Sequence, residues 1–214
     1  MVEPDTDRLV VDQKDGILVL RLNKPEKLNA VGPDIVLGLK NVLNNVPASC
    51  TGILLTGSGN ATCAGMDMSL VGGGEYSSKH TDLDSQVGEV GRLLRSLAVP
   101  SAVAGFGALI GVAFSWSLDC DFLIIGHETT ISLPEIQYDI PVTRSAKKLV
   151  PLVGPRITKE IVLTGSEIEP KRLHELGIAN DIVPEDQVEI EAQSLLEQIM
   201  EYDEELISNV ISSY

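Results

Sequence analysis

The run from Ser96 to Leu118 contains no charged side chain, and it constrains the fold more than any other stretch of the chain. Its length is compatible with a membrane span. However, Pro100 and three glycines interrupt it, and Asp119 and Asp121 follow directly. These breaks favour a buried strand, a glycine loop and a buried helix over one long helix. The sequence therefore predicts the core of a globular protein and no association with a membrane.

The rest of the chain alternates between strand-like runs and segments with helical periodicity. Two β-rich runs around Asp15-Gly16 predict a hairpin. A helix is predicted between Pro33 and Pro47, and the apolar run Ile53–Thr56 predicts a buried strand. The stretch from Gly72 to about Asp84 predicts a loop, followed by a second helix. This alternation is typical of an α/β fold.

The C-terminal part, after residue 133, is predicted to be largely helical and to end in an amphipathic helix. No internal repeat, low-complexity tract or linker interrupts the chain. We therefore expect a single domain over residues 1–214.

The composition excludes one class of partner and predicts a compartment. The net charge is −15, and residues 181–214 contain ten acidic residues and no Lys or Arg. Because such a surface repels polyphosphate, a nucleic-acid partner is not expected. The acidity fits either a solvated helix face or adaptation to high salt, which melting curves in molar KCl would separate. The three cysteines lack CxxC spacing and the N-terminus lacks an apolar run, which predicts reduced thiols and a cytoplasmic location.

Three familiar site patterns are incomplete. The glycines at 105, 107 and 111 deviate by one residue from the dinucleotide-binding GxGxxG pattern, and helix packing explains them equally well. The three histidines lack metal-ligand spacing, and no GxSxG motif is present. The sequence therefore predicts no bound metal, no NAD and no serine nucleophile.

Three other segments together could stabilise and protonate an enolate. Ala64-Gly65-Met66-Asp67 predicts a turn with a free backbone amide, and the loop Gly107–Gly111 could supply a second one. Pro134-Glu135 places a carboxylate after a strand-like run. Two converging N–H groups stabilise a developing oxyanion, and a carboxylate beside them can transfer a proton.

These segments belong to a series of motifs that resembles the enoyl-CoA hydratase/isomerase (crotonase) superfamily over about residues 9–200. The motifs are Asn23 to Ala30, Thr56 to Asp67, Pro100 to Asp121, Leu133-Pro134-Glu135, Leu163-Thr164-Gly165 and Leu176 to Ala179. The resemblance implies an α/β spiral of ββα units over about residues 1–180 and a shortened acidic helical region over 181–214. It also implies homotrimers or paired trimers and an acyl-CoA thioester substrate. No separate cofactor is implied, because coenzyme A is part of that substrate.

The resemblance also assigns roles to particular residues. The oxyanion-hole amides would be those of Met66 and Val112, and Asp67 would cap the following helix. The substrate and coenzyme A would contact Lys24, Lys27, Leu28, Ala30, Ala64, Met66, Asp67, Met68, Gly111 and Val112. The two lysines would offset phosphate charge, although two ordinary surface lysines would look the same in the sequence.

The carboxylates decide which reaction the resemblance implies. Glu135 matches the second of the two glutamates that hydratases of the family use, but Ser115 stands where the first is expected. A single carboxylate beside an oxyanion hole can still move an α-proton to another carbon, so double-bond isomerisation is predicted. Hydration of a 2-enoyl-CoA by one carboxylate is an alternative, as is acyl-CoA binding without turnover. Asp119 and Asp139 are possible substitute acids, and a purely structural Glu135 is the remaining alternative.

Two further departures affect the cavity and its cover. The glycine-rich segment that usually follows the Pro-Glu motif is replaced by Pro141-Val142-Thr143-Arg144-Ser145, so we expect a changed pocket near the acyl chain. Family members usually continue past the position of Tyr214 through a helix pair that covers the nucleotide. This lid is expected to be missing or replaced by the acidic C-terminal helix.

Overall fold

The computed structural model describes residues 4–70 and 78–213 as a main sheet, a small second sheet and packed helices. The strands are β1 (Leu9–Lys14), β2 (Ile17–Leu22), β3 (Gly52–Gly57), β4 (Ser101–Gly105), β5 (Ala108–Ile110), β6 (Phe122–Gly126), β7 (Thr130–Ser132) and β8 (Asp181–Val183). The helices are α1 (Pro33–Asn44), α2 (Ser78–Arg95), α3 (Val112–Ser117), α4 (Thr143–Thr164), α5 (Pro170–Glu175), α6 (Val188–Ile199) and α7 (Glu204–Ile211).

The main sheet has six strands in the order β1-β2-β3-β4-β6-β8. Strands β1 and β2 form the predicted hairpin, with Lys14 paired to Ile17 across a two-residue turn. Both turn residues, Asp15 and Gly16, have positive φ, which this type of turn requires. The other neighbours are parallel, and β8 extends the sheet into the segment predicted as the helical C-terminal region.

Helices cover both faces of this sheet, as expected for parallel strands that are buried on both sides. All residues of β3 and β4 are buried. The larger core lies between the sheet and α1, α2 and α3, and it contains the fully buried Trp116 and Phe114. On the opposite face, Val188, Ala192 and Leu196 of α6 pack on the sheet.

The small sheet brings two distant segments side by side. Strands β5 and β7 pair in parallel, and β5 also contacts the segment before Met66. Cys63 donates its N–H to the Ala108 carbonyl at 2.8 Å and accepts from Ile110 N–H at 3.1 Å. Residues 63–66 therefore lie next to the end of β5, where the chain enters α3.

The uncharged run folds as predicted, since it forms β4, a glycine-containing connection with the short β5, and α3. No helix among residues 4–70 and 78–213 has the length and apolarity needed to cross a membrane.

The prediction of a loop up to about Asp84 was wrong for its last seven residues. Helix α2 begins at Ser78, and its buried positions Leu83, Val87, Val90 and Leu94 repeat at helical spacing. The first turns carry mostly polar residues, which resemble a loop in the sequence, and only the later turns show the apolar face. The glycines at 72–74 lie outside the described residues.

Candidate active site

A cavity of about 370 Å³ lies where α3, α4, the end of β7 and the turn at Gly65 meet. Its walls include four residues predicted from sequence for the oxyanion hole and substrate, and the predicted acid. They also include polar residues that sequence reasoning did not assign to the site. The predicted residues are Ala64, Met66, Met68, Val112 and Glu135; the additional polar ones include Asp84, Ser115, Arg144 and Ser145.

The Met66 amide is exposed by the way its segment pairs. Gly65 accepts from Val31 N–H at 2.8 Å, and Asp67 donates to the Val31 carbonyl at 2.8 Å. In such an extended pairing the intervening N–H faces the opposite side. Among residues 4–70 and 78–213 the Met66 N–H has no acceptor, so it is available to a ligand in the cavity.

The Val112 amide is free for a different reason. Val112 is the first residue of α3, and the first N–H groups of a helix have no acceptor one turn earlier. Gly111 precedes it with φ 56° and ψ −113°, a conformation accessible to glycine. Within the described part of the chain the Val112 N–H also lacks an acceptor.

The two turns and the carboxylate come together at Gly111. A Cβ atom at this position would lie 3.1 Å from Oε1 of Glu135 and 3.8 Å from Cα of Gly65. Oxyanion-hole amides and an acid side by side are what enolate chemistry needs. The predicted combination of two amides and one carboxylate is therefore present in one place.

Glu135 lies in a short 3-10 helix, Pro134–Tyr138, directly after β7. Its Oε2 atom is buried and has no hydrogen-bond partner among the described residues. Burial, reinforced by the negative charge of Asp84, raises the pKa of the Glu135 carboxyl above its ordinary value of 4.5. A raised pKa brings a carboxyl closer to neutral pH, where it can both accept and return a proton.

The two predicted phosphate-binding lysines hold a buried carboxylate in this structure. Lys24 Nζ lies 2.8 Å and Lys27 Nζ 3.0 Å from Oδ2 of Asp67, whose side chain is 6% exposed. Asp67 also accepts from Ser69 N–H at 3.1 Å, which confirms that it caps the helical turn at Met68–Leu70. One carboxylate beside two ammonium groups leaves a positive charge, and Lys27, 45% exposed, is placed to present it.

The remaining predicted residues lie outside the cavity wall. Leu28 has a left-handed backbone, and its carbonyl accepts from Ala64 N–H at 2.9 Å, so it supports the turn at Gly65. Ala30 is buried beside it. Gly111 acts through its backbone, next to Val112 and Glu135.

Ser115, at the position where the first of the two glutamates was expected, belongs to a buried polar network. Its Oγ lies 3.0 Å from Ser145 Oγ and 3.1 Å from Lys148 Nζ. Lys148 also donates to the Ser115 carbonyl at 2.7 Å and to Asp119 Oδ2 at 2.5 Å. Burial lowers the pKa of Lys148, and Asp119 opposes this effect.

The two candidate substitute acids do not contribute a free carboxylate to the cavity. Asp119 has a fully buried side chain that pairs with Arg95 and Lys148. Asp139 has a left-handed backbone at the end of its 3-10 helix and is exposed. Glu135 is the predicted acid that the structure places in the cavity wall.

An ion pair forms another part of the wall. Arg144 Nη1 lies 3.2 Å and Nη2 2.8 Å from the two carboxylate oxygens of Asp84. The guanidinium occupies space next to Gly88, where a Cβ atom would lie 2.8 Å from Arg144 Nε. The replaced segment 141–145 thus contributes charge and hydroxyl groups to the cavity.

The sequence contains a signal for this network. Asp119 ends an uncharged buried run, and a buried carboxylate requires a cation. Lys148 and Ser145 lie three residues apart and so face the same side of α4. The spacing alone did not show which helix supplies the cation, because that depends on how α4 packs against α3.

Comparison with known proteins identifies the family. Residues 12–214 match the family model described as Enoyl-CoA hydratase/isomerase, and the chain belongs to this family. It is 32% identical over 182 residues to a hydroxycinnamoyl-CoA hydratase-lyase of Pseudomonas fluorescens, covering 81% of this chain and 66% of the relative. It is 26% identical to a 2,3-dehydroadipyl-CoA hydratase of Escherichia coli, covering 83% and 70%. A fatty acid oxidation complex subunit alpha of Shewanella oneidensis is 27% identical, and only 26% of its length is matched.

Solved structures show the same fold. The crystal structure of an enoyl-CoA hydratase from Bacillus anthracis superposes with a TM-score of 0.91 at 24% identity, covering 96% of this chain and 81% of that one. A putative enoyl-CoA hydratase from Thermobifida fusca, in complex with acetoacetyl-CoA, has a TM-score of 0.86 at 20% identity, covering 96% and 85%. The chain therefore has the crotonase fold predicted from its motifs.

Proposed function

We propose that this protein catalyses double-bond isomerisation of enoyl-CoA thioesters, with Glu135 as the acid and base. The observation that carries the proposal is the position of the Glu135 carboxylate, which lies beside Gly111 and has one buried oxygen without a hydrogen-bond partner in the described part of the chain. A group in this position is set up to exchange a proton with a ligand and not to stabilise the fold.

The reaction would use the residues as follows. The thioester oxygen of a 3-enoyl-CoA accepts hydrogen bonds from the Met66 and Val112 amides. Glu135 removes a proton from C2, and the electron pair moves onto the thioester oxygen to form a dienolate. The carboxyl then returns the proton to C4, and the double bond ends between C2 and C3. Each oxyanion-hole donor contributes on the order of 10²–10³ in rate, and the acid–base group about 10²–10⁴.

Coenzyme A binding would use the positive charge beside Asp67. Lys27 is partly exposed and shares its carboxylate with Lys24. A phosphate would give the second ammonium group a charge-assisted partner. The acetoacetyl-CoA bound by the Thermobifida fusca relative supports a thioester ligand. The proposed proton transfer needs no separate cofactor, and a cytoplasmic homotrimer or pair of trimers stays a prediction.

Hydration of a 2-enoyl-CoA is a second candidate, which the hydroxyl groups of Ser115 and Ser145 favour. Both residues line the cavity that contains Glu135, so a water molecule could be held there. Glu135 would accept a proton from this water as its oxygen attacks C3, and then deliver the proton to C2. The names of the relatives, among which hydratases predominate, also favour this reaction.

The two candidates are separated by supplying one substrate at a time. We expect conversion of 3-enoyl-CoA to the conjugated 2-enoyl-CoA, with solvent deuterium incorporated at C4 when the proton exchanges. Hydration predicts instead that 2-enoyl-CoA gains ¹⁸O at C3 in H₂¹⁸O. Glu135→Gln is expected to reduce either reaction by at least about 10²-fold.

The matched control is Asp139→Asn, which removes a nearby carboxylate outside the cavity wall. Asn tolerates the left-handed backbone of this position, so activity should stay within about twofold of wild type. Turnover that survives in Glu135→Gln contradicts its role as acid and base. Measurable acyl-CoA binding without turnover of either substrate supports a binding protein instead.

A further inference from the structure

The polar network around Lys148 determines what the cavity wall one helical turn from the Val112 amide can offer a ligand. An ammonium group has three N–H donors and no lone pair. Lys148 Nζ uses them on the Ser115 carbonyl at 2.7 Å, Ser115 Oγ at 3.1 Å and Asp119 Oδ2 at 2.5 Å. Asp119, with a fully buried side chain, pairs with this group and holds it in place.

The donors and acceptors of the two hydroxyl groups can be counted. Ser115 Oγ accepts from Lys148 and lies 3.0 Å from Ser145 Oγ. The hydrogen bond between the two serines uses one of their two hydroxyl protons, whichever serine is the donor. The second proton has no acceptor among residues 4–70 and 78–213, because Lys148 cannot accept. The cavity that both serines line is the space open to it.

The pair therefore presents one free hydrogen-bond donor to the cavity, whereas the ionised glutamate expected at position 115 would present acceptors only. Ser115 Oγ accepts from Lys148 on one of its two lone pairs, and a serine hydroxyl is a far weaker base than the carboxylate expected there. The free donor allows this wall to bind an acceptor atom, which an ionised carboxylate at position 115 would repel.

The distance from the oxyanion hole indicates which ligand atoms this donor can reach. Ser115 follows Val112 by three residues in α3, and its N–H donates to the Gly111 carbonyl at 2.8 Å. Three helical residues correspond to a rise of about 4.5 Å. For a ligand whose thioester oxygen accepts from the Val112 amide, we expect C3, the carbon beyond C2, to be the acyl atom closest to this donor.

We infer that Lys148 is a positioning residue that makes the Ser115–Ser145 pair a hydrogen-bond donor, so that the site selects acyl groups carrying an oxygen acceptor at C3. This inference rests on the proposed function, because it concerns the acyl part of a coenzyme A thioester. It adds to the proposed reaction a preference for acyl groups with an oxygen at C3, which Glu135 and the two amides would not produce.

The test compares two ligands that differ by one oxygen atom, and it requires no turnover. Isothermal titration calorimetry is used to measure Kd for butyryl-CoA and for each enantiomer of 3-hydroxybutyryl-CoA. Wild type is expected to bind one enantiomer about 5- to 10-fold more tightly than butyryl-CoA, as one added hydrogen bond predicts. The Ser115→Ala/Ser145→Ala double variant should bind butyryl-CoA and the enantiomer that wild type prefers with equal affinity. Its Kd for butyryl-CoA should stay within about twofold of wild type.

Variants of Lys148 test the positioning role itself. Lys148→Met should reduce the preference to less than about twofold, and Lys148→Arg, which keeps donor groups, should restore part of it. Lys147→Met is the matched control, since Lys147 is the exposed neighbour on the same helix, and it should keep the full preference. Circular dichroism checks folding of Lys148→Met. If Lys148→Met unfolds, the serine double variant still tests the inference, because it retains the Lys148–Asp119 ion pair.

Failure of this inference differs from failure of the proposed function. Equal affinity of wild type for both ligands, or an undiminished preference in the serine double variant, overturns the inference and leaves the role of Glu135 intact. A preference that behaves as expected in an enzyme without isomerase or hydratase activity supports the inference and contradicts the reaction. Absence of binding of both ligands to wild type overturns both.

Discussion

Gly111 lies directly against Glu135, so that a Cβ atom on the glycine would be 3.1 Å from Oε1 of the carboxylate. The same glycine has φ 56° and precedes the Val112 amide. One residue thus sets both the direction of a proposed oxyanion-hole donor and the space for the proposed acid. This relationship links the backbone of α3 to the proposed proton transfer.

Gly111→Ala should therefore reduce activity much more than stability. We expect a loss of about 1–2 kcal/mol in the free energy of unfolding from the strained backbone, and at least about 10²-fold in kcat from displacement of Glu135 and Val112. Gly177→Ala is the matched control, because Gly177 has φ 71° but no atom within 4 Å of its Cβ position. It should lose similar stability and keep its kcat. Equal effects of both substitutions on kcat would show that Gly111 acts on folding only.

Glu135→Gln should make the protein more stable at neutral pH. Burial raises the pKa of Glu135 in the folded state above the ordinary 4.5, so ionisation destabilises the fold as pH rises through the folded pKa. The neutral amide avoids this cost, and we expect a melting temperature higher by about 2–4 °C at pH 8, equivalent to ~1 kcal/mol. The difference should shrink as pH falls toward 4.5. A variant less stable than wild type at pH 8 would assign Glu135 a structural role.

The frame of the protein was predictable because its local signals agree with its global fold. The turn at Asp15-Gly16, the buried run of β3 and the boundaries of α1 follow from turn chemistry, apolar continuity and proline positions. The two amides and Glu135 were predictable from motifs, since each depends on a short segment with a fixed backbone. The start of α2 was not predictable, because its first turns carry polar residues and the apolar face that indicates a helix begins only in the later turns.

The polar wall of the cavity was not predictable for a related reason. Ser115 is recognisable as a departure, but the partner of its hydroxyl comes from α4, about thirty residues later, and the contact depends on helix packing. The attachment of Lys24 and Lys27 to Asp67 likewise depends on tertiary proximity of two loops. The sequence motif identifies Lys24, Lys27 and Asp67, but it does not indicate that the lysines and the aspartate pair with each other.

Asp84→Asn should shift the acidic limb of the pH profile to lower pH. The charge of Asp84 helps to raise the pKa of Glu135, and its removal also leaves the Arg144 charge unpaired. Both changes favour the ionised form of Glu135, which must be the base that removes the α-proton. The profile of kcat/KM against pH measures the shift. Asp186→Asn, which removes an exposed carboxylate elsewhere, should leave the limb in place, and an unchanged limb in Asp84→Asn would contradict the coupling.

Asp67→Asn should destabilise the protein in a pH-dependent way. Burial works to raise the pKa of Asp67, but hydrogen bonds from the two lysines and from Ser69 hold it well below its ordinary value of 3.8. The stabilisation is therefore complete above pH 3.8 and is lost as pH falls below that value. We expect urea denaturation to show a loss of about 2–3 kcal/mol in the free energy of unfolding at pH 7, because the two ammonium groups lose a buried partner. The curves of wild type and variant should approach each other below pH 3.8, whereas a constant difference would mean that the loss comes from packing and not from charge.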